Sequence, residues 1–435
     1  MEVREHTVTD HRTTVVVGGG PAGLMAALRL SEAGERVTVI EAMGSVGRKF
    51  LLAGKGGLNL THSQELDSFL SNYRGRHDQL DQAIRAFSPR HVRSWCAQLG
   101  EPAFVGSSGR VFPASFRATP LLRTWVQRLL DSGVHIICRT QMTGLESFDG
   151  GVVLTLTTAA SDAATARTWD LRCDAAVLAL GGASWPKLGS TGSWVELLRE
   201  HGVGVSDLTP SNCGVLTTWS SRLFDRFERV PLKNISVTFH GATARGDAMI
   251  TEHGMEGAPV YAVSSALREA LTKEGPQVIW LDFMPDVPIA AVVERLQRRR
   301  PKDSMSTKLR GIGLSTVAAA VLRESTSAST AAPVDNDELA RLIKATPVAI
   351  RATESIEHAI SSAGGIRLDE VDHRWMLRSL PGVFVAGEML DWDAPTGGYL
   401  LQACLSTGVA AAQGVLDWFN GGPHLDQSES EWVGR

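Results

Sequence analysis

Apolar β-branched residues first gather at Thr13–Val17 (TTVVV) and run directly into Gly18, Gly19 and Gly20. A short fully apolar run closed by glycine predicts a buried parallel strand. Residues 21–33 (PAGLMAALRLSEA) follow with apolar positions on most faces and stop at Gly34, which predicts a core helix, and residues 36–40 (RVTVI) predict a second strand. Strand, helix and strand in under thirty residues make a βαβ unit. Further along, helices are expected at 79–87, 89–99 and 119–132, with a strand at 135–138. A hairpin is expected from 151–157 and 168–172, and a fully apolar strand at 175–180 ending in Gly181 and Gly182. After residue 206 the pattern alternates to Phe239, and 286–345 reads as helical around a loose spacer at 325–336. The chain then ends in a strand at 383–386, an Ala-rich helix at 401–419 and a polar tail. Residues 44–62 hold so many glycines that irregular structure is expected there.

Length and composition refine this outline. The 435 residues, 43% hydrophobic and 21% charged, suit two or three globular domains. The expected division is 1–205 and 355–422 as one discontinuous nucleotide domain, 206–354 as an inserted β-rich then helical domain, and 423–435 as a tail. The net charge of −4 carries no basic surplus, which argues against nucleic acid as a partner. Arg298–Arg300 reads as a solvated helix end. The cysteines, Cys96, Cys138, Cys173, Cys213 and Cys404, are odd in number and form no CxxC pair, so a reducing cytoplasm is expected rather than a disulfide scaffold. The first twelve residues lack a signal-peptide core, and no stretch is expected to approach the ~20 apolar residues that a membrane helix needs.

The chemistry concentrates in GGGPAG. Gly18, Gly20 and Gly23 fill a GxGxxG template between strand and helix. The first allows the tight turn, the second lets a pyrophosphate approach the backbone, and the third lets helix and strand pack closely. The helix start at Pro21 and Ala22 offers free N–H groups to an anion. Glu41, followed by Ala42, ends the second strand where a carboxylate accepts from ribose hydroxyls, which points to FAD or NAD rather than NADP. FAD is favoured by a second feature at 380–403, where a buried strand leads through Gly387 and Glu388 to Gly397, Gly398, Tyr399 and Leu400 at the start of an Ala-rich helix. A helix N-terminus there would stabilise the negative charge of a reduced flavin. With no attachment residue evident, the FAD is expected to be non-covalent.

Several stretches resemble the BaiN/YhiN-like bacterial flavoproteins, also described as NAD(P)/FAD-dependent oxidoreductases. They are VVVGGGPAGLMAA, GRKFLLAGKGGLNLTH, GRVFP at 109–113, LALGGASWPKLGSTG at 178–192 and GEMLDWDAPTGGYLLQACLSTG at 387–408. The resemblance implies a two-dinucleotide-binding-type FAD fold, α/β and Rossmann-like, with the middle domain inserted. It also implies hydride transfer between flavin and a small organic substrate, in some relatives a conjugated enone. One departure is plain: where the family often has Arg-Cys-Asn, this chain has Gly57, Leu58 and Asn59, so no thiol can act there.

Other candidates follow. Gly47, Arg48 and Lys49 would reach FAD phosphates or a substrate anion, or lie on the surface. Asn59 and Thr61 would stand near the flavin by analogy with the family loop, or stabilise a turn. Met142, Gly181 and Gly182 join them as candidate contacts, and residues 184–191 are expected to line the cleft. Trp185 and Trp392 would stack on flavin or substrate, or simply pack. His62, His253 and His358 are the acid–base candidates, none with a partner at motif spacing, so no catalytic residue is assigned. No metal-ligand spacing, GxSxG or Walker loop occurs, and no second GxGxxG follows residue 120. If NAD(P)H is the reductant it would bind transiently in the open cleft, with dioxygen or another electron acceptor as the other possibility. An FAD-binding tRNA-modifying or regulatory protein is the alternative reading.

Overall fold

A computed structural model describes residues 12–54, 56–75, 77–148, 150–158, 167–327 and 335–421. The expected polar tail lies outside these residues, as do most of the 157–167 hairpin loop and residues 328–334 of the expected spacer. The chain divides into two compact units, one of residues 1–209 with 363–435 and one of 210–362. The sequence pattern had suggested cuts at 205 and 354.

The first unit opens with β1 (Thr13–Val17), α1 (Pro21–Glu32), β2 (Arg36–Glu41), α2 (Arg48–Ala53), β3 (Thr61–His62), α3 (Leu66–Leu70), α4 (Asp78–Ala86) and α5 (Pro89–Gln98). It continues through β4 (Ala103–Val105), β5 (Arg110–Pro113), α6 (Ala118–Asp131), β6 (His135–Cys138), β7 (Thr140–Phe148), β8 (Gly151–Thr158), β9 (Arg167–Cys173), β10 (Ala175–Leu178) and α7 (Trp194–Glu200). Several assignments differ from expectation, with α3, β4, β5 and α7 among the unread elements. Residues 44–62 are not wholly irregular: between glycines, RKFLLA closes a short helix and Thr61–His62 joins a sheet. A nine-residue strand at 140–148 also went unread, because its burial alternates unevenly around a bulge between Met142 and Gly144.

The chain passes through β11 (Val205–Ser211) into the second unit. There follow β12 (Val215–Leu216), α8 (Ser221–Phe227), β13 (Pro231–Phe239), β14 (Ala242–Thr251), β15 (Gly254–Gly257), α9 (Ala258–Glu274), β16 (Gln277–Asp282), α10 (Ile289–Gln297), α11 (Met305–Gly311), α12 (Thr316–Ser327), α13 (Asn336–Lys344), β17 (Thr346–Ile350) and β18 (Ala352–Thr353). Its seven strands form one antiparallel sheet in the order β17-β16-β13-β14-β15-β12-β18. The unit has its own core, including Leu232, Val237, Ile250, Leu267, Ile279 and Leu322.

The chain leaves by β19 (Ser361–Ile366) and completes the first unit with β20 (Val383–Val385) and α14 (Tyr399–Phe419). In that unit β20-β10-β1-β2-β6 form a five-stranded sheet in which every neighbouring pair is parallel. Val16 pairs with Val39 on one side and Val177 on the other, and all three are fully buried, as a parallel sheet covered on both faces requires. This is a Rossmann-type α/β fold, carrying two further three-stranded sheets, β3-β5-β4 and β7-β8-β9.

Helix α14 starts at Tyr399 rather than at 401, with Gly398 as its N-cap. Of its 21 residues, an 18-residue stretch has a mean hydropathy of 1.3, long and apolar enough to cross a membrane, contrary to the expectation that no such run exists. It is the unit's core helix, packed along α1, with Leu405, Ala411, Ala412 and Val415 fully buried. The approach is close because Gly408 carries no side chain: a Cβ there would stand 2.4 Å from the Ala22 carbonyl oxygen. Gly408→Ala should therefore destabilise the first unit by about 1–3 kcal/mol, the usual cost of overpacking, despite alanine's better helix propensity. Thermal unfolding of the apoprotein would show a lower midpoint for Gly408→Ala and none for Gly20→Ala, whose Cβ would meet nothing within 4 Å. Equal midpoints for the two variants would refute this packing.

Candidate functional site

Strands β1, β2, β10 and β20 end at Val17, Glu41, Leu178 and Val385. Residues just beyond these carboxyl ends enclose a cavity of about 510 Å³. Ligands of open parallel sheets bind at such strand ends.

The glycines of the first turn divide the work. Gly18 has φ +109°, and a Cβ on it would stand 2.2 Å from the Ala179 carbonyl oxygen, so the turn excludes any other residue. Gly20 is the N-cap of α1 and lines the cavity, with open space where its side chain would be. Gly23 does not line the cavity; its missing Cβ lets α1 rest on the Gly18 carbonyl, 2.0 Å from the Cβ position. Pro21 and Ala22 complete the helix start at the cavity wall.

Glu41 holds the loop's shape. One carboxylate oxygen accepts from the Gly19 N–H at 2.9 Å and the other from the Met43 N–H at 2.7 Å. Each oxygen keeps a lone pair for a further donor from the cavity. Burial pushes its carboxyl above its ordinary value of 4.5, against these two bonds and the charge of Arg48.

Opposite, Lys49 Nζ donates to Glu388 Oε2 at 2.7 Å and to Ser184 Oγ at 2.6 Å. Lys49 is thus half of an ion pair inside the cavity rather than an isolated cation awaiting phosphate, and Glu388 is neutralised in the same contact. Gly387 is positioned by Trp392, whose indole N–H donates to its carbonyl oxygen at 3.0 Å. The remaining predicted residues that line the cavity are Ala42, Gly47, Arg48, Met142 and Gly181.

Other predicted residues fall elsewhere. Gly182, Asn59, Thr61, Gly397, Gly398, Tyr399 and Leu400 are not among the cavity's lining residues. Thr61 is fully buried and donates to Gln402 Oε1 at 2.7 Å. Gly398 lies against the backbone of Thr61, whose Cα is 2.5 Å from where its Cβ would be, and Gly397 precedes it at φ +130°. Tyr399 packs on Phe69, Tyr73 and His62. Trp392 is buried as a packing residue, and Trp185 caps a 3₁₀ turn at φ +61°. His62 accepts at Nδ1 from the Gln64 N–H, 3.2 Å, and its Nε2 lies 3.0 Å from the Ser108 carbonyl oxygen. His253 and His358 belong to the other unit and are exposed, 3.9 Å from Glu252 and 3.7 Å from Glu354.

Sequence reasoning missed Trp194 and Cys404, whereas Ser190 falls in the 184–191 stretch expected to line the cleft. Trp194 lines the cavity and donates from Nε1 to the Gly181 carbonyl at 2.8 Å. Cys404 lines it too, one helical turn beyond Leu400, and burial pushes its thiol up to about 12, which keeps it protonated. Ser190 lies in the wall with its Oγ buried and without a hydrogen-bond partner. An orphaned hydroxyl of this kind calls for a guest. Among the described residues no cluster of His, Cys, Asp or Glu could hold a metal ion.

These walls fit a dinucleotide: a helix N-terminus over open space at Gly20, a carboxylate with lone pairs left at Glu41, and an unpaired hydroxyl at Ser190. Fold and site together define an FAD-dependent oxidoreductase. The chain belongs to the HI0933-like family, whose "HI0933-like protein Rossmann domain" model matches residues 12–414. It is 26% identical over 417 residues to a 3-dehydro-bile acid delta(4,6)-reductase of Clostridium scindens, covering 92% of this chain and 98% of that one. It is 23% identical over 413 residues to a ribosomal RNA dihydrouridine synthase of Escherichia coli, covering 92% and 97%. In fold it resembles a 3-ketosteroid delta1-dehydrogenase of Sterolibacterium denitrificans, at a TM-score of 0.52 and 13% identity over 93% of this chain and 99% of that one.

Glu41 generates a prediction. Its raised carboxyl means that FAD affinity should fall on acidification with a midpoint above 4.5, because the protonated acid accepts less well from a ribose hydroxyl. The same shift makes the ionised group a cost to the apo fold: stability from it is greatest at acid pH and declines as pH rises from 4.5 through the raised value. Glu41→Ala should weaken FAD by about 1.5–3 kcal/mol, and Glu41→Gln should flatten the pH profile. Titration of apoprotein with FAD between acid and neutral pH checks both; a pH-dependence unchanged in Glu41→Gln would exclude Glu41 as its source.

Proposed function

We propose that this chain is an FAD-dependent reductase of carbon–carbon double bonds conjugated to a carbonyl, acting on a small organic substrate. The observation that carries the reading is the end-to-end similarity to the Clostridium reductase, combined with a cavity whose walls suit FAD. The name of that relative describes reduction of unsaturated carbons in a 3-keto ring system. Dihydrouridine formation is related chemistry, since it saturates a ring double bond conjugated to a carbonyl.

In this reading the N-terminus of α1 at Gly20–Ala22 receives the pyrophosphate, and Glu41 accepts from the ribose while its backbone bonds keep the loop in register. Ser190 donates its unpaired hydroxyl to the cofactor. The Lys49–Glu388 pair keeps the cavity's net charge near neutral beside an anionic guest. Bound FAD, once reduced, supplies the hydride. NAD(P)H serves as a transient reductant that reaches the open cleft.

The dihydrouridine synthases among the relatives favour a second reading, in which the substrate is a uridine of RNA. The chain's net charge of −4 weighs against it.

The deciding experiment mixes photoreduced holoprotein anaerobically with a steroid 4-en-3-one, a simple cyclic enone, the matching saturated ketones and a uridine-containing RNA. Oxidised-flavin absorbance should return with the enones and not with the saturated ketones. Reoxidation by the RNA alone would move the assignment to the second reading, and reoxidation by none of them would overturn both.

A further inference from the structure

The order of strands fixes which end of the cavity meets which half of a dinucleotide. Val17 of β1 pairs with Ile40 of β2 on one side and with Leu178 of β10 on the other, and Leu178 pairs with Val385 of β20. The four strands thus end level. Beyond them the cavity wall steps from Glu41 after β2, through Gly18, Gly19 and Gly20 after β1 and Ala179 after β10, to Gly387 and Glu388 after β20. Three strand spacings, about 14 Å, separate the two ends. A dinucleotide with its pyrophosphate at Gly20 and its adenosine ribose at Glu41 therefore lays its flavin-bearing half on the β10–β20 side.

That side carries a cation whose hydrogen-bond donors are not all used. Lys49 is the second residue of α2, and Gly47 at the start of this helix donates its N–H to the Gly19 carbonyl at 2.8 Å. The lysine is thereby anchored to the fingerprint turn itself. An ammonium group has three N–H donors. Nζ gives one to Glu388 Oε2 at 2.7 Å and one to Oγ of the fully buried Ser184 at 2.6 Å. Among the described residues no further acceptor takes the third. Lys49 lines the cavity with 28% of its side chain exposed, so a fixed charge with a spare donor stands at the flavin end.

The two charges of the pair act on the wall around them. The Cys404 thiol beside them is pushed up by burial above all, then by the charge of Glu388, with the charge of Lys49 opposing. Neutral in sum, the pair has little to offer a neutral guest. A guest that changes its charge is a different case. Flavin gains negative charge on reduction, and charges held near its ring tune that step. In a wall shielded from water such interactions are screened less than in solution.

We propose that Lys49 sets the reduction potential of the bound flavin. Its charge and its spare N–H stabilise the reduced, anionic cofactor, Glu388 moderates that effect, and Ser184 holds the ammonium in place. Two electrons and a single proton enter the flavin from its reductant, which leaves one negative charge more than before. Lys49 gives up no proton in this step and acts by position alone. Glu388 and Ser184 are positioning residues that act through it. The inference rests on the cavity being the FAD site and is independent of the substrate that the enzyme reduces.

The test reads a potential rather than turnover. Wild type, Lys49→Met, Glu388→Gln and the double variant are loaded with FAD, photoreduced anaerobically and equilibrated with a reference dye, while affinity for oxidised FAD is titrated in parallel. Lys49→Met should weaken reduced FAD roughly tenfold more than oxidised FAD, a fall of about 30 mV for a two-electron couple. Glu388→Gln leaves the lysine uncompensated and should move the potential upward. The double variant, neutral again, should return close to the wild-type value. Opposite shifts in the single variants with recovery in the double are a mark of charge that lost packing does not produce. Equal weakening of both redox states in Lys49→Met would make the lysine a plain anchor and overturn the proposal. So would single variants shifted in the same direction. Should Lys49→Met hold no FAD, Glu388→Gln decides alone, and an unshifted or lowered potential there overturns the proposal. A wild type that takes up no FAD would overturn the reading of the cavity and the proposal with it, whereas FAD bound normally at an unshifted potential in every variant overturns the proposal alone.

Discussion

The contact on which the site depends is backbone against backbone. Gly18 turns beneath the Ala179 carbonyl, and Gly23 lets α1 rest on the Gly18 carbonyl in turn. Gly408 then brings α14 onto the carbonyl of Ala22. No side chain could occupy any of these positions without moving a main chain. The result is a helix N-terminus held rigidly at the end of a parallel sheet, with Gly20 left facing open space. An anion there meets prearranged N–H groups and need not reorganise the protein to be bound.

Charge inside the cavity is settled internally before any ligand arrives. Glu41 is tied to the loop it supports through the N–H groups of Gly19 and Met43, so its position is set by the backbone rather than by its own rotamers. Lys49 and Glu388 answer each other across the chain, 339 residues apart in sequence. Truncating one member of such a half-buried pair would strand the other, so their mutual contact constrains the wall more than it stabilises the fold. Ser190 is the exception, a buried hydroxyl with nothing to bond.

Much of this was legible along the chain because the informative residues are glycines at turns and acids at strand ends. Those positions report backbone conformation directly, and 18–41 could be read almost residue by residue. Residues 44–62 were harder, since glycines at 44, 47, 54, 56 and 57 masked the six-residue helix they flank. Gly397–Leu400 marked the start of a helix correctly in kind, but which face of α14 meets the cavity is a tertiary property, and Cys404 rather than Tyr399 lines it. Trp194 and the 140–143 strand reach the wall from segments with no motif, whereas Ser190 lies within the 178–192 stretch quoted for the family resemblance. The lone pair of tryptophans singled out for stacking illustrates the same limit: Trp392 serves the Gly387 carbonyl from the core.

The claim that the strand-end cavity is the FAD site is tested most directly by flavin content. Wild-type protein and Gly20→Val would be purified alike, checked for equal helical content by circular dichroism, denatured, and their released flavin identified and quantified. The wild type should release stoichiometric FAD, and Gly20→Val almost none, because its side chain would occupy the open space at the helix N-terminus. Full FAD content in Gly20→Val would contradict the account and place the cofactor elsewhere.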